Sequence, residues 1–125
     1  MTRHGDDVES RSFTLPGDSG AQLTLAWAAV TDVGRRRAAN EDSLVAQPPV
    51  FAVADGMGGH AAGDRASAAV ASRLAALAEH GDVDEAAIGE ALVHAARDID
   101  ELAEELALGA GTTVTGAVLD ISGEQ

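Results

Sequence analysis

A carboxylate at the end of an apolar run is the feature of this sequence that most suggests chemistry. Residues 50–54 are Val-Phe-Ala-Val-Ala, and residues 55–60 are Asp-Gly-Met-Gly-Gly-His. The apolar run predicts a strand buried on both faces, with Asp55 at its end. The glycines predict that the strand stops there and that the backbone can approach a ligand closely. A carboxylate beside exposed peptide carbonyls suits a hard divalent cation, and a tight turn with a solvated aspartate fits this segment equally well.

A cluster of arginines precedes a second acidic group upstream. Residues 35–37 are all arginine, and Asn40, Glu41 and Asp42 follow shortly after them. Guanidinium groups pair with phosphate oxygens while carboxylates hold divalent cations, so this combination predicts a phosphate bound beside a metal ion. A surface loop of solvated ion pairs is the alternative.

The strands next to these two acidic groups determine whether the groups meet. The sequence predicts strands at residues 43–47 and 50–54, separated only by Pro48 and Pro49. Such a short connection makes the two strands neighbours. We therefore expect Glu41 and Asp55 near the same end of one sheet.

Three short blocks occur in a fixed order: Arg37-x-x-Asn40-Glu41-Asp42, then Ala-Asp-Gly-Met-Gly-Gly-His at residues 54–60, then Gly-Thr-Thr at residues 111–113. Together they resemble the first half of bacterial PP2C-type, metal-dependent protein serine/threonine phosphatases. The second block is the most specific of the three, and Gly-Thr-Thr is the least specific. The resemblance covers about residues 24–121.

The resemblance implies a fold and a set of site residues. The fold is α+β, a four-layer αββα sandwich of antiparallel sheets flanked by helix pairs, of which this chain holds the N-terminal part. Asp55 would bridge two Mn²⁺ or Mg²⁺ ions, and Gly56 would offer its carbonyl to one of them. Glu41 would bind that same ion, directly or through water. Arg37 would hold the substrate phosphate, and Asp42 would support the neighbouring loop.

The resemblance also implies an activity, which is hydrolysis of phosphoserine and phosphothreonine in proteins by a metal-bridged hydroxide. The implied partners are a phosphorylated protein substrate and a serine/threonine kinase. The family's later Gly-Asp-Ser, Ser-Asp-Gly and Asp-Asn blocks do not occur downstream of residue 113. We therefore expect a truncated domain that is nearly inactive by itself.

Other functions compete with this one. The first is a non-catalytic PP2C-like interaction module that binds a phosphoprotein or a kinase. A dinucleotide-binding turn is a second, because Gly56-x-Gly58-x-x-Ala61 follows a strand and opens a helix, but Asp55 would repel a pyrophosphate. A small structural domain with solvated acids is the third.

Composition narrows the class of protein. The net charge of −13 argues against non-specific binding to nucleic acids or anionic membranes. The absence of cysteine excludes disulfides and thiolate metal sites. No apolar stretch approaches the ~18 residues of a membrane span, and no signal peptide is evident. We expect a cytoplasmic protein with no membrane segment in this chain.

The remaining predicted elements complete a one-domain plan. Residues 1–22 lack periodicity, which predicts a flexible tail. The resemblance assigns residues 23–125 to the N-terminal portion of a PP2C-like phosphatase domain, apparently truncated. The expected elements are a strand at 23–30 with Trp27 in sheet packing, a helix at 61–79 capped by Asp64, a helix at about 83–108 capped by Asp82 or Asp84, a strand at 112–121 and a turn at 122–125. The two helices predict an antiparallel hairpin, with a coiled-coil seam between subunits as the alternative.

Overall fold

The computed structural model of the chain describes residues 2–4, 11–14, 20–35, 39–59, 61–81 and 83–119. Their elements are β1 Thr2–His4, β2 Arg11–Thr14, β3 Gln22–Leu25, β4 Asp42–Gln47, β5 Val50–Met57, α1 Ala62–His80, α2 Glu85–Leu106, β6 Gly111–Thr112 and β7 Thr115–Val118. One sheet has the order β1-β4-β5-β6, with β7 also paired to β5, and β2 and β3 form a second sheet. The α+β class expected from the sequence is confirmed.

The β4–β5 hairpin is the centre of the main sheet. Its strands are antiparallel, with Gln47 opposite Val50 across the diproline turn and Asp42 opposite Asp55 at the far end. The prediction that these strands are neighbours is confirmed. The prediction that the second strand stops at Asp55 is wrong, because Gly56 and Met57 continue the ladder by pairing with β6.

Only one face of β5 is covered by the helices. Val50 and Ala54 are buried in the core, whereas Val53 is 53% exposed and Met57 is 62% exposed. Alternation along a strand sends successive side chains to opposite faces. The prediction of a strand buried on both faces is therefore wrong for the described residues. The face away from the helices holds Phe51, whose ring meets the Trp27 ring edge-on at a centroid distance of 5.7 Å. The packing role predicted for Trp27 is confirmed.

The N-terminal segment contains strands where the sequence indicated a tail. Residues Thr2–His4 form β1, which pairs in parallel with β4, so the main sheet is mixed rather than purely antiparallel. Residues Arg11–Thr14 form β2, which pairs with β3. Both strands are too short for alternation to reveal them. The expected first strand at 23–30 is correspondingly shorter and ends at Leu25. The domain boundary at residue 22 stays a prediction.

The helices match their predicted positions closely, but one cap differs. Helix α1 is preceded by Ala61 in a left-handed conformation with no side-chain cap, so the prediction that Asp64 caps α1 is wrong. Asp64 lies within the first turn instead, where a negative charge favours the helix dipole. Helix α2 begins as predicted, with the Asp84 carboxylate accepting a hydrogen bond from the Ala87 amide at 2.7 Å. Gly81 ends α1 in a left-handed conformation.

The two helices form the antiparallel hairpin that the sequence predicted. Arg73 of α1 makes two hydrogen bonds to Asp98 of α2, at 2.8 and 2.9 Å. Arg65, two turns earlier in α1, approaches Glu105, later in α2, at 3.9 Å. The apolar stripe of α2 packs into the same core as α1 and the sheet, through Ala95, Leu92 and Ile99. This packing favours the intramolecular hairpin over the coiled-coil alternative.

The C-terminal strand is interrupted in the structure. The expected strand at 112–121 is present as two short strands, β6 and β7, separated by Thr113 and Val114. The expected turn at 122–125 lies outside the described residues. Neither helix of the described part is long and apolar enough to cross a membrane.

Candidate functional site

Two carboxylates face each other at the end of the β4–β5 hairpin. Asp42 and Asp55 are directly opposite in the antiparallel register. Opposite residues point to the same face of a sheet, with Cβ atoms roughly 4.5–5.5 Å apart. The two side chains line an open polar cavity of about 190 Å³ together with Asp32, Val33, Ala39, Asn40, Glu41 and Gly56. The structure therefore brings Glu41, Asp55 and Gly56 to one cavity, as the sequence predicted.

Asn40 orders the loop that leads into this cavity. Its side-chain Oδ1 accepts a hydrogen bond from the Asp42 amide at 3.0 Å. Its Nδ2 donates to the Thr31 hydroxyl at 2.8 Å. The first contact is a local Asx turn, and the second ties the turn to the segment before the arginines. Asn40 therefore fixes the start of β4, and with it the direction of the Asp42 side chain.

Glu41 lies on the helix side of the sheet end. Its backbone carbonyl accepts a hydrogen bond from the Gly56 amide at 3.3 Å and another from the Ser67 hydroxyl of α1 at 2.7 Å. Its carboxylate lies against Gly63, in the first turn of α1, where an added methyl group would collide with the Oε2 atom. The positive end of the helix dipole thus faces this carboxylate.

Glycine at positions 56 and 63 is required by a close approach of backbones. A Cβ atom on Gly56 would collide with the carbonyl of Gly63. A Cβ atom on Gly63 would come within 2.9 Å of the Met57 amide. The end of β5 and the first turn of α1 are therefore in direct backbone contact. This contact fixes the distance between the helix and the strand that carries Asp55.

Glu41 and Asp55, the two predicted acidic ligands, differ from Asp98 in having no ion pair within the described part of the chain. Among the described residues, the carboxylates of Glu41 and Asp55 make no hydrogen bond or ion pair. The same part of the chain holds no group of three or more His, Cys, Asp or Glu side chains arranged to hold a metal ion. Mg²⁺ commonly uses one or two carboxylates and keeps several waters. Glu41 and Asp55 therefore fit a divalent cation that keeps several water ligands, rather than one whose ligands all come from the protein.

Sequence reasoning placed some site residues and missed others. Arg37, the predicted phosphate ligand, lies outside the described residues. Asp42, whose expected role in supporting the loop stays a prediction, lies opposite Asp55 in the cavity. Counting back from the diproline turn in an antiparallel hairpin gives that register, so the signal was available. Ser67 and Gly63 were missed because their contacts with Glu41 join segments far apart in sequence.

Solved structures and curated sequences identify the relatives of this arrangement. The catalytic domain of the serine/threonine protein phosphatase PstP in complex with two manganese ions matches with a TM-score of 0.68 and 40% identity, over 74% of this chain and 42% of that chain. The Mycobacterium tuberculosis phosphatase PstP/Ppp matches with a TM-score of 0.65 and 42% identity, over 74% of this chain and 41% of that chain. The resemblance to PP2C-type phosphatases is confirmed.

The match to PP2C-type phosphatases is partial in length. The curated PstP sequence from Mycobacterium tuberculosis is 54% identical over 55 residues, which are 44% of this chain and 11% of that protein. The match thus spans 11% of the curated relatives and 41–42% of the solved chains. No protein-family model matches the chain. The antiparallel β4–β5 pairing also agrees with the PP2C-type match, since a dinucleotide-binding turn needs a parallel βαβ unit.

Proposed function

We propose that this chain carries part of the site for metal-dependent hydrolysis of phosphoserine and phosphothreonine in proteins. The observation that carries the proposal is the cavity at the end of the β4–β5 hairpin, where Asp55 faces Asp42 and lies near Glu41 and Gly56. The manganese-bound PstP catalytic domain, which shares 40% identity and the fold, supports it.

The charge of the cavity argues that a metal ion must come before a phosphate. Asp32, Glu41, Asp42 and Asp55 all line it. A phosphate group entering this field would be repelled unless cations first neutralised it. Divalent ions held by these carboxylates would reverse the local charge. In this proposal Arg37 supplies further positive charge for the phosphate oxygens.

Each residue of the proposed site has a separate role. Asp55 would hold the Mn²⁺ or Mg²⁺ ions with its carboxylate, Gly56 would offer its carbonyl, and Glu41 would bind directly or through water. When bound, such ions act as Lewis acids and lower the pKa of water. Arg37 orients the phosphate for displacement of the serine or threonine oxygen. A phosphoprotein substrate, a serine/threonine kinase partner and a cytoplasmic location belong to the same proposal.

Binding of Mn²⁺ by the 125-residue chain tests the metal part of the proposal. We expect Mn²⁺ to raise the melting temperature of the chain and EDTA to reverse the rise, since a ligand at a hundredfold its Kd stabilises by ~2.7 kcal/mol. Asp55→Asn should remove the response. Asp100→Asn, the same charge change on the exposed side of α2, should keep it. A Mn²⁺ response that survives Asp55→Asn would contradict the assignment of Asp55.

Hydrolysis is tested in a chimera. We would replace the matching segment of the PstP catalytic domain by residues 40–59 of this chain and measure release of phosphate from a phosphoserine peptide. Mn²⁺-dependent turnover that Asp55→Asn abolishes is the expected result. Turnover resistant to EDTA would contradict the metal-dependent mechanism. A chimera that folds and binds the phosphopeptide without turnover would favour the non-catalytic interaction module.

A further inference from the structure

A pair of buried serine hydroxyls lies directly behind the proposed metal ligand Glu41. Ser43 of β4 and Ser67 of α1 are both fully buried. Their Oγ atoms are 2.8 Å apart. The Ser67 hydroxyl is also 2.7 Å from the Glu41 carbonyl and 3.1 Å from the Asp64 carbonyl. Around them the interface between α1 and the sheet consists mainly of alanine, valine and leucine.

The proton count of the pair fixes the direction of these hydrogen bonds. A serine hydroxyl has one proton to donate. Carbonyl oxygens only accept hydrogen bonds. The Ser67 hydroxyl therefore donates its proton mainly to the nearer carbonyl, that of Glu41, and makes a weaker hydrogen bond to the Asp64 carbonyl. Ser43 must then donate its own proton to the Ser67 oxygen. Ser67 is therefore the group that connects α1 to the backbone of Glu41.

The Glu41 carbonyl is consequently held by two donors from different elements. Gly56 holds it from β5 at 3.3 Å, and Ser67 holds it from α1 at the shorter distance of 2.7 Å. The Glu41 carboxylate lies against Gly63, one turn before Ser67 in the same helix. Helix α1 thus fixes the backbone of Glu41 and also borders its side chain.

We propose that Ser67 is a positioning residue for the Glu41 carboxylate, acting through the Glu41 carbonyl. The inference rests on the proposed function, because it gives Glu41 a divalent cation to bind. Mutating a residue that orients a metal ligand through a hydrogen bond typically lowers metal affinity roughly 10–100-fold. Without Ser67, the Glu41 carbonyl keeps, among the described residues, the longer bond from Gly56, and we expect its carboxylate to move more freely beside α1.

Serine-to-alanine variants distinguish this role from the alternative, in which the two buried hydroxyls only serve as hydrogen-bond partners for each other. The set is Ser67→Ala, Ser43→Ala and the double variant. Ser43→Ala keeps the Ser67 bond to Glu41. The double variant removes both buried hydroxyls, which is often nearly neutral for stability because no polar atom is left without a partner. Circular dichroism and thermal unfolding show which variants are folded.

The first measurement is Mn²⁺ affinity of the 125-residue chain, from the signal of free Mn²⁺ in electron paramagnetic resonance. We expect Ser67→Ala and the double variant to raise the Kd by about tenfold, and Ser43→Ala to change it less than twofold. A double variant that is as stable as the starting protein and binds Mn²⁺ equally well would overturn the proposal. Such a result would show that the hydroxyl of Ser67 has no effect on the metal-binding position of Glu41.

The second measurement needs no metal. Relaxation of ¹³C-labelled glutamate side chains in the metal-free chain reports how rigidly Glu41 is held. We expect Glu41 to become more mobile in Ser67→Ala and in the double variant, and to stay rigid in Ser43→Ala. Unchanged relaxation in both Ser67 variants would overturn the proposal. The two proposals can also fail separately. If the starting protein does not bind Mn²⁺ but Glu41 still becomes more mobile in the Ser67 variants, the proposed function is contradicted and the positioning role of Ser67 is kept.

Discussion

Asp42 and Asp55 lie directly opposite each other on neighbouring antiparallel strands, and both line one cavity with Asp32 and Glu41. Like charges in this arrangement destabilise a sheet.

Asp55→Asn should stabilise the metal-free chain while removing its metal response. Removing one of two opposed charges relieves a repulsion worth roughly 0.2–1 kcal/mol. Urea unfolding in EDTA measures the gain in the free energy of unfolding. Asp100→Asn changes the net charge equally, away from the cavity, and serves as the control. Equal gains in the two variants would show that the effect comes from net charge and not from the Asp42–Asp55 pair.

Gly56→Ala should destabilise the chain strongly because the added methyl group meets the Gly63 carbonyl. Overpacking against rigid backbone costs about 1–3 kcal/mol or more. Gly89→Ala is the matched control, since nothing lies within 4 Å of its added Cβ. In an exposed helix interior that substitution should stabilise by about 0.5–1 kcal/mol. Thermal unfolding compares the two, and a loss of stability in both would contradict the structural explanation.

The Arg73–Asp98 ion pair should make stability depend on acid. The hydrogen bond from Arg73 lowers the pKa of Asp98 below its ordinary value of 3.8. A lowered carboxyl pKa stabilises the folded state above that ordinary value, and the contribution is lost as the pH falls through the lowered value. Asp98→Asn should therefore be less stable than the starting protein at neutral pH, and the two should converge in acid well below pH 3.8.

The second interhelical pair provides the comparison for Asp98→Asn. Arg65 and Glu105 are both exposed and approach only to 3.9 Å, a geometry in which ion pairs contribute little. Glu105→Gln should leave the free energy of unfolding nearly unchanged at neutral pH. A loss as large as that of Asp98→Asn would indicate general charge effects on α2 rather than the paired geometry.

Asp84→Ala should weaken the start of α2. The variant loses the 2.7 Å hydrogen bond to the Ala87 amide, and loss of an N-cap costs ~1 kcal/mol. Asp100→Ala removes the same charge and side chain within the same helix, but at an exposed interior position, so it should be neutral or stabilising. Urea unfolding followed by circular dichroism distinguishes them.

Local patterns in the sequence were enough to predict the hairpin and the helices. The diproline between two apolar runs predicted the β4–β5 pair, and the apolar stripe of α2 predicted its packing against α1. The continuation of β5 past Asp55 was not predictable in this way, because it depends on β6, which follows both helices in the chain. Glycine composition alone favours a turn there, and tertiary pairing overrides it.

The sequence named candidate site residues but not the residues that surround them. Glu41, Asp55 and Gly56 were chosen by motif resemblance, and the structure brings them to one cavity. Ser67 and Gly63 lie in an apparently ordinary alanine-rich helix, and only the folded chain shows that they border Glu41. Residue type indicates which atoms can bind a cation, but not which distant residues hold those atoms in place.

The glycine contact between β5 and α1 also has a mechanical consequence. Because peptide groups touch there with no side chain between them, no rotamer change can absorb a shift of the helix. Close-packed interiors transmit such displacements. A displacement of the helical hairpin, for instance by a protein that binds its outer surface, would therefore shift the peptide group next to Asp55 by a similar amount.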